Sequence, residues 1–177
     1  MRAFIYVMAL VCAPCAASAQ TSDICGLIAR NIGWAQSLKS AQETWRVTPG
    51  TMLAILDQES RFNPNARGAG AGGDNPARNF GYAQANLRTW NWFLRETGKT
   101  SGSRTDFGLS AEFVGWHFAT MERRIGAPRD NVVAHYLAYK MGEGGYKRGA
   151  PASSRALAGR IAARARGFDQ QLRGCGF

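Results

Sequence analysis

Histidine and cysteine are scarce in this chain. Two histidines and four cysteines occur in 177 residues, and none falls at metal-ligand spacing. A metal centre is therefore not expected, and no pattern points to another cofactor. The glycine run 68–73 has no lead-in that reads as a strand and no Lys-Ser/Thr after it, which discards a phosphate cradle. Long apolar runs are also missing. The one candidate, residues 3–13, is too short to span a bilayer as a mature helix. Acidic residues are few, 12 against 22 Lys and Arg, giving a net charge of +10 and a pI near 10.1. No internal repeat is visible, and the length suits one domain with a real core.

What is present begins with an export signal. Met1-Arg2 is a short positive start, residues 3–13 are largely apolar, and Ala17-Ser18-Ala19 fits a small-x-small cleavage site. The expectation is a signal peptide over 1–19 and one mature domain over 20–177, periplasmic or secreted. Neither Cys12 nor Cys15 follows a lipoprotein box, so no lipid anchor is expected. Cleavage leaves Cys25 and Cys175, and two cysteines in an exported protein most simply pair with each other. A basic balance points first to nucleic acid. Export turns it instead toward anionic envelope polymers. A merely solvated basic surface has the same composition, and charge alone does not separate the two.

The chain is organised around residues 48–68, TPGTMLAILDQESRFNPNARG. Thr48 can cap a helix whose first position is Pro49. Met52, Ile55, Leu56 and Glu59 share one face, apolar except for Glu59. Asp57 lies about 200° away and is expected in solvent. Phe62-Asn63-Pro64-Asn65 is turn chemistry, which stops the helix soon after Glu59. An apolar wall and a helix C-terminus both disfavour the carboxylate, so the pKa of Glu59 should rise. A carboxylic acid kept protonated near neutral pH is what general acid cleavage of a glycosidic bond requires.

Glu59-Ser60-x-Phe62-Asn63-Pro64-x-Ala66 resembles the E-S-x-[FY]-N-P-x-A signature of lytic transglycosylases with the goose-type lysozyme fold. Two further motifs follow in order. Gly81-Tyr82-Ala83-Gln84 stands where that family carries G-L-M-Q, whose Gln lines the sugar groove. Ala138-Tyr139-Lys140-Met141-Gly142-Glu143-Gly144-Gly145-Tyr146 resembles A-Y-N-x-G-x-G, whose Tyr lies across the cleft from the catalytic Glu. The chain looks closest to a subgroup of small exported members with G-Y-A-Q and L-A-Y-x-x-G-x-G-G-Y. It departs from the family at Gly68, often a serine there, and at Lys140, usually Asn.

The resemblance implies an all-α, lysozyme-like domain with glycine-rich loops and Glu59 as sole catalytic acid and base. The substrate-binding candidates are Ser60, Tyr82, Gln84, Tyr139, Glu143 and Tyr146. Tyr139 would orient the acid or the substrate's acetamido group, and Gln84 would hold the sugar. The substrate would be the glycan strand of peptidoglycan, cut between N-acetylmuramic acid and N-acetylglucosamine to leave 1,6-anhydro ends. A monomer is expected, with an envelope-spanning assembly as a further candidate partner. The alternatives are a muramidase or chitosanase-type hydrolase, which needs a second carboxylate such as Asp74, and a non-catalytic glycan-binding module.

Apart from the Glu59 helix, the sequence predicts helices over 22–46, 87–97 after Asn86, 106–125, 130–141 ending at Gly142, and 153–173. His117 has no acidic or hydroxyl neighbour in sequence and reads as structural. The five arginines of the last helix are expected at the surface.

Overall fold

The structure is a computed structural model that describes residues 23–68 and 79–177. The expected signal peptide and Asp74 lie outside the described residues. The described chain is all-α. Seven helices follow in order: α1 (Ile24–Arg30), α2 (Trp34–Trp45), α3 (Pro49–Ser60), α4 (Leu87–Glu96), α5 (Phe107–Ile125), α6 (Val132–Lys147) and α7 (Ala152–Gly174). Two isolated bridges, Arg67 with Phe80 and Phe80 with Ala85, are the only extended pairings among the described residues.

The caps are largely those the sequence offers. The Thr48 side chain accepts from Thr51 N at the start of α3, Asn86 from Thr89 N at α4, and Asp106 from Leu109 N at α5. Gly126 ends α5 in the left-handed region. The single helix expected over 22–46 is a correction: it breaks into α1 and α2 at residues 31–33. There the Asn31 side chain donates to Leu27 O at 2.7 Å, and Gly33 adopts φ 87°. α6 keeps the expected break at Gly142 (φ 71°, ψ 167°), but a further helical turn follows to Lys147.

α3 is the centre of the molecule. Met52 through Leu56 are each fully buried. α7 packs along one side of α3 and α5 along another, while α6 closes against both α5 and α7. This explains a second correction. Asp57 is not solvated but pairs with Arg164 Nη1 of α7 at 2.9 Å, because the side of α3 opposite Glu59 is also covered. Cys25 and Cys175 form a disulfide that joins α1 to the end of α7, with Cα atoms 6.3 Å apart. At the start of α2, Trp34 stacks on Phe107 with ring centroids 3.6 Å apart, and Tyr82 meets both rings edge-on.

Candidate active site

Glu59 is the next-to-last residue of α3, and the chain turns away immediately after it. Arg61 (φ 51°) and Phe62 (φ 57°) are consecutive non-glycine residues in the left-handed region. Gln84 (φ 47°) is a third, in the facing turn. Such backbone is costly and persists where packing holds it. The two turns are laced together. Gln84 Nε2 donates to Ala66 O and to Gly81 O, both at 2.9 Å, and Gly81 N donates to Ala66 O at 3.0 Å. Gly81 (φ 78°) admits no side chain, since a Cβ there would lie 2.0 Å from Arg104 O.

These turns, with α4, α5 and α6, enclose a cleft of about 520 Å³. Glu59 lies on one wall. Gln84, Asn86, Arg88 and Thr89 approach from the second turn and α4, Phe113 and His117 from α5, and Tyr136, Tyr139 and Lys140 from α6. Glu59 is the only carboxylate among the described residues of this lining.

The carboxylate is held from α6. Tyr136 Oη donates to Glu59 Oε1 at 2.9 Å. The expected partner, Tyr139, instead donates to Ala83 O at 2.5 Å. Positions 136 and 139 are one turn apart on one helix face, so both reach the cleft. Tyr136 reaches from α6 to the acid near the end of α3, and Tyr139 ties α6 to the Gly81–Gln84 turn. Burial raises the pKa of Glu59 above its usual value, and the Tyr136 hydrogen bond and the Lys140 charge oppose part of that rise. Burial and the neighbouring Glu59 raise both phenols, which stay protonated donors.

Of the residues singled out in the sequence, the cleft brings together Glu59, Gln84 and Tyr139. The others lie outside its lining. Ser60 Oγ donates to Leu56 O at 3.0 Å, within its own helix. Tyr82 is buried in the Trp34–Phe107 ring cluster. Glu143 makes ion pairs with Arg124 at 2.6 Å and Lys147 at 2.7 Å, which hold its pKa down. Tyr146 packs half-buried against the core beyond the Gly142 break. Sequence reading missed Tyr136 and placed His117 among structural residues only. Lys140 was visible as a departure from the family motif, and it lines the cleft.

A family model described as Transglycosylase SLT domain matches residues 2–175, nearly the whole chain. The chain belongs to the transglycosylase SLT-domain family. No curated protein and no solved structure matches it. Transglycosylase SLT domains are generally lytic transglycosylases, lyases that act on peptidoglycan, usually outside the cytoplasm. In this SLT domain, no described helix is long and apolar enough to cross a membrane. Among its described residues, no group of three or more His, Cys, Asp or Glu could hold a metal ion.

Proposed function

We propose that this SLT domain is an exported, monomeric enzyme that cleaves the bond between N-acetylmuramic acid and N-acetylglucosamine without water, leaving 1,6-anhydro ends. One observation carries the reading: among the described residues the cleft holds a single carboxylate, desolvated and gripped by a phenol at 2.9 Å. A hydrolase with two carboxylates would need a partner for Glu59. Asp57 is occupied by Arg164 on the far side of α3.

The steps use groups of the chain and the substrate alone. Glu59 donates its proton to the bridging oxygen as the C1–O bond breaks. The acetamido oxygen of the muramic acid residue stabilises the cationic C1. Glu59, now a carboxylate, takes the proton of the C6 hydroxyl while that oxygen bonds to C1. The proton count closes and no water is consumed. Tyr136 orients the carboxylate through both steps. Gln84, fixed by two carbonyls, and the ring of Tyr139 shape the sugar-binding wall.

The test is digestion of purified sacculi by the parent protein and by Glu59→Gln, with mass spectrometry of the fragments. Fragments one water lighter than hydrolytic ones, from the parent only, support the reading. Equal digestion by the variant overturns it.

A further inference from the structure

His117 has no part in the steps above, yet it is one of the residues lining the cleft. It is 8 % exposed, and its ring lies 4.8 Å from that of Tyr139 and 6.2 Å from that of Phe113. Its Nδ1 is sealed from solvent with no hydrogen-bond partner. Nε2 has no described partner either, and it is the nitrogen left accessible. Burial pushes the imidazole pKa down to about 3, so the ring is neutral and carries one proton. A sealed, orphaned N–H is rarer in proteins than a sealed lone pair, which puts that proton on Nε2.

The rings nearest this donor are those of Phe113, Trp116 and Tyr139, in a cleft whose remaining lining is largely polar. Phe113, Ala138 and Tyr139 line the cleft with it, and the Tyr139 hydroxyl is already spent on Ala83 O. An acetamido group brings an acceptor oxygen beside a methyl, which matches one N–H donor set among aromatic rings. The acetamido group of the cleaved muramic acid is engaged at C1, leaving that of a neighbouring N-acetylglucosamine.

We infer that His117 is a specificity-determining residue whose Nε2–H binds the acetamido carbonyl of an N-acetylglucosamine unit, so the cleft selects N-acetylated over glucosamine-deacetylated glycan. This rests on glycan being the ligand of the cleft, as proposed above. The Nε2–H then serves substrate binding, while the sealed Nδ1 keeps its lone pair without a donor.

The test measures binding of soluble glycan fragments, N-acetylated throughout or deacetylated only at glucosamine, to Glu59→Gln protein. The acetylated fragment should bind about tenfold more tightly. Adding His117→Phe, which keeps an aromatic ring and removes the donor, should bring the two affinities close to equal. His117→Gln, which keeps an N–H, should retain part of the difference. An undiminished preference in the His117→Phe protein overturns the inference. Nitrogen NMR of the imidazoles needs no His117 variant, because the chain has only two histidines. The His117 signals should report an Nε2–H tautomer and move on adding acetylated fragment. Signals unmoved at saturation overturn the inference even if His117→Phe fails to fold. Binding is read in a non-cleaving protein, so failure of the cleavage chemistry appears separately, as absent anhydro products from the parent.

Discussion

Tyr136 of α6 and Glu59 of α3 are joined by a hydrogen bond of 2.9 Å, and this contact ties the fold to the chemistry. The same apolar packing that builds the core around α3 desolvates the carboxylate and raises its pKa. The phenol limits that rise and fixes the direction of the proton. Tyr136→Phe should keep the fold, reduce kcat about tenfold through loss of orientation, and raise the Glu59 pKa further. The alkaline limb of the pH–rate profile, where the acid loses its proton, should therefore move up. A limb that moves down would show that the phenol does not stabilise the charged form.

Lys140 acts in the same direction through its charge. Lys140→Asn, which installs the residue usual in the family motif, should also move the alkaline limb upward, with less effect on kcat than Tyr136→Phe. The pH–rate profile of the purified variant reads this directly. No movement of the limb would remove Lys140 from the electrostatics of the acid.

Glu59→Gln should abolish cleavage while leaving stability level or slightly higher. The sign follows from linkage. A folded-state pKa above the unfolded value of about 4.5 means that the native state binds the proton more tightly. That advantage is full below the unfolded pKa and is lost as pH rises through the folded pKa. The parent should therefore weaken relative to the variant as pH rises from about 4 toward neutrality. Thermal or denaturant melts across that range check it, and a parent that gains on the variant with rising pH would contradict the burial of this acid.

Much of this was legible in the sequence, and the reasons are local. Thr48 and Pro49 start α3, the Phe62–Asn65 turn ends it beside Glu59, and Asn86, Asp106 and Gly126 punctuate α4 and α5 through their own side chains or backbone. What was not legible depends on crossings between helices. Tyr136 and Tyr139 share a face, and spacing alone does not say which meets the acid. Asp57 looked solvated because α7, which covers it, is more than a hundred residues away in sequence. His117 has no telling neighbour along α5, and only the approach of α6 places it beside Tyr139 in the cleft. The break after Arg30 was hidden because the apolar stripe of the first segment continues past it into α2.

The Cys25–Cys175 bridge closes a loop of 150 residues. Chain entropy gives at most about 5 kcal/mol for a loop of this size. Replacing both cysteines with serine should lower the unfolding free energy by a large fraction of that amount and free the contact of α1 with α7. Thiol labelling of folded, non-reduced protein should find no reactive cysteine at either position, and labelling at both would contradict the bridge.

The central claim is that the attacking oxygen comes from the sugar and not from water. Purified sacculi digested in 18O-labelled water, followed by mass spectrometry of the new ends, test this most directly. Glu59 acting alone, first as acid and then as base, predicts unlabelled 1,6-anhydro ends. One labelled oxygen at each new reducing end would contradict it and would require a second carboxylate to activate water across the cleft.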